Sequence, residues 1–444
     1  MRRITQITVT KLFGIFNHII PLNKEEHITI IHGLNGFGKT TLLRMLNGIF
    51  HHRYSELRSI PFSEFSIDFD DGSTLKVTQS IKTNEEQPRL EFSLKELGLE
   101  EKNIIWEPQD FPEENWSPSI IAIIEKYIPE ITQISTTKWI YLPTNEELSL
   151  EDILERFSNL LPIKSNPLVK KEQWFEDFKK TINVCFIESQ RLLSFSDNPR
   201  LQVNGRRQPL IVPSVSTYSR ELAESIQSKL AEYGELSRTL ERTFPSRIIQ
   251  QKKRGLSEAE IHNKLAEIEQ ENLRLIEAGL LDTDNPLDFS VEQNMDETIK
   301  NILSVYIKDV EKKLQIFSEL VNKIELFQKI IKERFSYKKM QISKEHGFTF
   351  IGEDNKPLSP AKLSSGEQHE LVLLYELLFK VPRNSLILID EPELSFHVAW
   401  QVQFLKDLQD IIKLANFDIL IATHSPDIIN DRWDLTVELK EPTP

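Results

Sequence analysis

The chain is nearly devoid of cysteine. Cys185 stands alone among 444 residues, which excludes an intramolecular disulfide framework and any cysteine-rich zinc site. Long hydrophobic runs are missing too: none approaches the roughly 20 residues that a membrane-spanning helix needs. The start, Met1-Arg2-Arg3-Ile4-Thr5-Gln6-Ile7-Thr8-Val9, alternates like a strand and lacks the apolar core of a signal peptide. A cytoplasmic protein without membrane contact is expected. Low-complexity tracts and internal repeats are absent. So is net positive charge: the formal balance is −14, which argues against a globally basic nucleic-acid binder. A local patch is compatible with that sum. Arg238, Arg242, Arg247, Lys252, Lys253 and Arg254 read either as a solvated helix end and turn or as a surface for DNA or a partner protein.

What is present is an ordinary globular composition, 39% hydrophobic and 27% charged, with length for two or three units that each bury a core. Ile28-Thr29-Ile30-Ile31 reads as a strand that runs into Gly33-Leu34-Asn35-Gly36-Phe37-Gly38-Lys39-Thr40, and Thr41 to Leu46 opens a helix behind it. A G-x-x-x-x-G-K-T pattern between strand and helix is a phosphate loop. Its glycines let the backbone curl until successive N–H groups face phosphate oxygens. Lys39 sets positive charge against the β- and γ-phosphates of ATP, and the Thr40 hydroxyl suits Mg²⁺. Asn35, Gly36, Gly38, Lys39, Thr40 and Thr41 are the expected nucleotide contacts.

The matching acids lie over three hundred residues later. Ser385 to Ile389 is the apolar run of a buried parallel strand, and it ends in Asp390-Glu391 before Pro392 stops pairing. Asp390 is expected in the Mg²⁺ shell, with Glu391 as the general base that polarises the attacking water. His424 follows another apolar strand, Ile419 to Ala422; it reads as a contact to the γ-phosphate and water, or as a satisfied core histidine. Leu363-Ser364-Ser365-Gly366-Glu367-Gln368 opens a helix with hydroxyls, N–H groups and a favourable dipole for an anion. An N-cap explains Ser364 or Ser365 alone, but not the place of this cap just before the carboxylate strand.

These motifs together resemble the ABC-type ATPases, an α/β fold with a P-loop core and, here, a helical, short coiled-coil insertion. The resemblance implies that Ser364, Gly366 and Glu367 form the signature motif, which caps nucleotide held by Lys39 of a second subunit. ATP then acts between two copies, giving a homodimer or higher homo-oligomer. Gln190 resembles the Q-loop glutamine that reports on Mg²⁺ and the water, with Gln79 as the other candidate. Glu393 to His397 occupies the D-loop position without its usual aspartate. The separation from Gln190 to Leu363 favours the RecF/SMC/OLD-like branch. The wording of the motifs is similar to that of ATPase subunits of bacterial anti-phage defence systems (AriA of PARIS, PtuA of Septu). That likeness implies a sensor that controls a separately encoded effector nuclease, since neither a TOPRIM nuclease domain nor a His-Asn-His pattern is found. A DNA-repair or DNA-maintenance ATPase of RecF/SMC type is the alternative.

The expected organisation follows the motifs. Residues 1–83 carry the first core segment, with two strands around a turn near Asn17 to Lys24 and a hairpin at Asp70-Asp71-Gly72. Residues 84–180 read as irregular and helical, 181–200 as a core strand and Q-loop, 201–350 as a helical stalk, and 351–444 as the rest of the core. Within the stalk, Ile299, Leu303, Tyr306, Val310, Phe317, Leu320, Ile324, Phe327 and Ile331 keep a 3–4 spacing that only Lys313 breaks. That spacing predicts one helix roughly 50–60 Å long, at about 1.5 Å per residue. Its expected partners are the helical segments at 218–245 and 257–279.

Overall fold

In the computed structural model the described residues are 2–51, 53–80, 88–106, a scatter between 121 and 157, 173–187, 193–195, 202–203, 206–207, 211–250, 255–282, 295–353 and 355–441. The principal elements begin with strands β1 (Ile4–Leu12), β2 (Phe16–Pro21) and β3 (Ile28–His32), helix α1 (Lys39–Phe50), and strands β4 (Glu64–Phe69), β5 (Thr74–Ser80), β6 (Arg89–Lys95), β7 (Lys102–Trp106) and β8 (Asn183–Ile187). Helices α2 (Ser214–Gln250), α3 (Glu258–Glu277), α4 (Glu297–Gln315) and α5 (Ser318–Arg334) follow, then β9 (Lys339–Ser343), β10 (Gly347–Ile351) and α6 (Ser365–Tyr375). The last are β11 (Ser385–Asp390), α7 (Val398–Ala415), β12 (Asp418–Ala422) and β13 (Thr436–Glu438). They fall into two compact units, residues 1–212 with 380–444, and residues 213–379. No helix among the described residues is long and apolar enough to cross a membrane.

The two largest sheets of the first unit carry its core. One is parallel, in the order β8-β11-β12-β3-β13. Its central strands carry apolar runs, as strands covered on both faces must: Leu386 to Ile389 and Ile419 to Ala422 are all buried. The other is antiparallel, in the order β2-β1-β4-β5-β6-β7. Here the structure corrects two expectations. The stretch read as a turn near Asn17 contains β2, whose Phe16, His18 and Ile20 are buried in strict alternation. The actual turn is Phe13-Gly14-Ile15, where Phe13 and Gly14 adopt positive φ of 53° and 82°. Nor do residues 89–106 read as the expected irregular insert, because β6 and β7 extend the same sheet to Trp106. The Asp70-Asp71-Gly72 hairpin is present, with Gly72 at φ 80°.

The second unit is mainly helical. The single long helix expected across 299–331 is two helices, α4 and α5, which break at Ile316 and Phe317. Phe317 is wholly buried at that break, its ring 5.6 Å from the ring of Tyr233 in α2. Neither glycine nor proline stands there, so the apolar spacing runs through the junction and conceals it. The expected partners are found. Arg247 of α2 forms a two-pronged ion pair with the buried Asp309 of α4, its Nη2 2.6 Å from Oδ2. Arg274 of α3 likewise grips Glu325 of α5, both bonds at 2.6 Å. Such planar guanidinium–carboxylate pairs are directional and fix helix register.

Candidate functional site

The phosphate loop leaves β3 at Gly33 and closes on α1. Gly36 and Gly38 adopt left-handed φ of 88° and 90°. At Gly38 the positive φ disfavours any side chain, and a Cβ would also force the buried Leu12 side chain to shift, meeting its Cδ2 at 2.5 Å. Asn35 and Gly36 are exposed at the tip, and Thr40 and Thr41 are half-buried in the first turn of α1. Lys39 is buried, its ammonium donating to Gly33 O at 2.8 Å and Leu34 O at 3.2 Å. The antiparallel sheet holds the loop from below. The buried His18 imidazole bonds Phe37 O through Nε2 at 3.0 Å, and the Phe16 ring lies 5.3 Å from the Phe37 ring. Burial lowers the His18 pKa, so at neutral pH it acts as an uncharged strut. This support comes from β2, a strand where the sequence pattern predicts a turn.

Across the sheet, the Thr40 hydroxyl donates to Asp390 Oδ1 at 3.0 Å. Burial pushes the Asp390 carboxyl up to about 6; Glu391 and Glu393 add to the rise, against the Thr40 hydrogen bond and Arg44. A hydroxyl and a carboxylate oxygen side by side, in a spot short of positive charge, fit a hard divalent cation such as Mg²⁺. Glu391 follows with φ 43° and ψ 58°, a left-handed conformation rare for a non-glycine residue, and its N–H donates to Ala422 O at 2.8 Å.

His424 lies beside these acids. Its Nδ1 is 3.0 Å from Glu393 Oε1 and 3.7 Å from Glu391 Oε1. Glu393 Oε1 also accepts from the His424 backbone N–H at 3.0 Å. A single carboxylate oxygen of Glu393 thus sits against both the backbone and the ring of His424, on its Nδ1 side. Glu393, which the sequence places only at the D-loop position, is buried and orients His424. The signal was Pro392, which starts the short 3₁₀ turn Pro392–Ser395 that folds Glu393 back. His424 and the phosphate loop share one cleft of about 420 Å³, lined also by His32 and Trp433.

Other candidates fare differently. Gln190 lies outside the described residues. Gln79 is engaged at both ends, donating to Arg58 O at 3.0 Å and accepting from Phe62 N–H at 3.2 Å, so it braces the segment 58–62 against the antiparallel sheet. In the second unit, Ser364 caps α6 in a reciprocal box with Glu367. Of the basic cluster, Arg247 is committed to Asp309 and Arg238 donates to Gly234 O at 3.4 Å, while Lys252, Lys253 and Arg254 lie outside the described residues.

A phosphate loop joined to a carboxylate strand across a parallel sheet is nucleotide machinery, and the sequence matches the profile of the AAA ATPase domain over residues 3–429. The chain belongs to that family. This ATPase is also 29% identical over 134 residues to protein ea59 of Escherichia phage lambda, a match to 28% of this chain and 25% of that protein. The chain thus spans about a quarter of the length of the curated relative it matches. Among solved structures, the Smc head domain of Pyrococcus furiosus, with an extended coiled coil and bound to the C-terminal domain of ScpA, matches with 10% identity and a TM-score of 0.32. That match covers 100% of this chain and 95% of that one. The SMC head domain of Thermotoga maritima matches with 8% identity and a TM-score of 0.30 over 96% and 91%. Both likenesses are remote, and neither bears on function.

Proposed function

We propose that this ATPase is an ABC-type clamp of the RecF/SMC/OLD-like branch: two copies close on ATP and Mg²⁺, hydrolysis reopens them, and the cycle controls an effector nuclease in anti-phage defence. The clamp rests on one observation. Ser364 and Ser365 are exposed at the N-terminus of α6, an eleven-residue helix whose positive dipole end suits an anion. In this reading Asn35, Gly36, Gly38, Lys39 and Thr41 hold the phosphates of one nucleotide, and Ser364 and Gly366 of the second copy cap its γ-phosphate. Thr40 and Asp390 would hold Mg²⁺, a role the resemblance extends to Gln190, and the ion would neutralise phosphate charge when bound. Glu391 takes the proton of the attacking water. His424, held by Glu393, contacts the γ-phosphate. The motif wording supports the defence role.

Mixed dimers test the shared site. Ser364→Arg is expected to leave ATP binding to each chain intact and to stop hydrolysis. Mixed with Lys39→Ala protein, it gives one composite site with both wild-type halves, so a fraction of turnover should return. No recovery at any ratio, once mixed dimers are shown to form, overturns the clamp. The output has its own test. Expressed beside its neighbouring genes, the tagged chain should retain a nuclease and protect cells from some phages, and Glu391→Gln should remove the protection. Hydrolysis stimulated by DNA, with no protein retained, would point to a DNA-maintenance enzyme instead.

A further inference from the structure

Glu367 places a carboxylate where the proposed clamp needs an anion to bind. Its Oε2 accepts from Ser364 N–H at 2.9 Å and from Ser364 Oγ at 2.8 Å. A phosphate seated on that hydroxyl would therefore meet a negative charge one hydrogen bond away. Burial alone would raise the Glu367 carboxyl, yet the bonds from Lys338 and Ser364 hold it below its ordinary value, so it is ionised at neutral pH. The charge is met by Lys338, whose ammonium bonds the other oxygen, Oε1. Lys338 is itself fixed. It ends the turn after α5, its N–H donating to Phe335 O at 3.2 Å, and Phe335 is buried. One turn further along α6, Glu370 pairs with Arg334 at the end of α5, Nη1 to Oε1 3.3 Å, with both side chains buried.

We propose that Lys338 is a positioning residue that makes the Ser364 turn fit for a nucleotide phosphate, by neutralising and holding the carboxylate that caps the same turn. A glutamate at this point of the helix favours the helix dipole and opposes the ligand; the lysine keeps the first effect and removes the second. The proposal rests on the clamp reading, in which Ser364 faces the γ-phosphate of the opposite copy.

The test is a set of variants of the full chain, assayed for ATP affinity, melting temperature and kcat. Lys338→Met should leave the ATP Kd of the single chain unchanged and lower kcat about tenfold, the scale of one uncompensated charge near a phosphate at partial exposure. Lys338→Arg should stay near wild type. Lys338→Met combined with Glu367→Gln should regain most of the lost turnover, because no charge is left to neutralise. A merely structural lysine would instead lower the melting temperature and give no recovery in kcat. Wild-type turnover in Lys338→Met, or a loss that Glu367→Gln leaves in place, overturns the proposal. Ser364→Arg run alongside separates the two readings. If it still hydrolyses ATP, the clamp itself is wrong; if it is inactive while Lys338→Met is not, only the role of Lys338 fails.

Discussion

Lys39→Ala should weaken ATP binding by at least about a hundredfold, since the charge-assisted bonds lost with one desolvated cation are worth roughly 3 kcal/mol or more. Lys39 is buried at the head of α1 and holds two carbonyls of its own loop, Gly33 O and Leu34 O. Those bonds keep the ammonium where phosphate oxygens would replace the carbonyls. Alanine removes both the charge and the brace, while the glycines that shape the loop remain. Equilibrium binding of ATP, with the melting temperature as a check on folding, measures the effect. Affinity within a few-fold of wild type would show that the loop does not hold phosphate.

Glu391→Gln separates binding from chemistry. Glutamine matches glutamate in size and can keep the backbone conformation at φ 43°, but it cannot take a proton. Hydrolysis is expected to fall by about 10²–10⁴-fold, the usual contribution of a general base, while ATP affinity stays close to wild type. With hydrolysis blocked, ATP should hold two copies together, so the variant should elute as a dimer with ATP and as the smaller species without it. Continued hydrolysis would remove Glu391 from the base role. The neighbouring Glu393 is the natural control. Glu393→Gln should slow turnover less, because its carboxylate acts on His424 and is not itself the base.

The parallel sheet was legible because its strands declare themselves. Ser385 to Ile389 and Asp418 to Ala422 are short apolar runs that end at functional residues, a pattern that a strand covered on both faces requires. The phosphate loop was legible because few backbones other than glycine reach the φ values found at Gly36 and Gly38. The rest was hidden for equally physical reasons. β2 is six residues long, ends in Pro21, and turns on Phe13-Gly14-Ile15, which is too apolar to look like a turn. The α4–α5 break bends at a buried phenylalanine, which a periodicity reading counts as one more core position. Glu393 acts through a partner 31 residues away, so local spacing carries no trace of it. Arg247 looked like surface charge until its partner, Asp309, was found on another helix.

Strand β3 carries the phosphate loop, yet both strands beside it arrive almost four hundred residues afterwards: Ile30 pairs with Ile421 on one side and Thr436 on the other. A ribosome delivers the loop early and its neighbours late. Until residues 418–438 have been made, the apolar Ile28, Ile30 and Ile31 have neither of their final edges, and the chain must carry them through the synthesis of all the helices between. Pairings so distant in sequence form slowly and leave open strand edges exposed to other chains. Folding of this ATPase should therefore finish as a late closing step after translation of β13, and a truncation that lacks β12 and β13 should aggregate instead of binding nucleotide weakly.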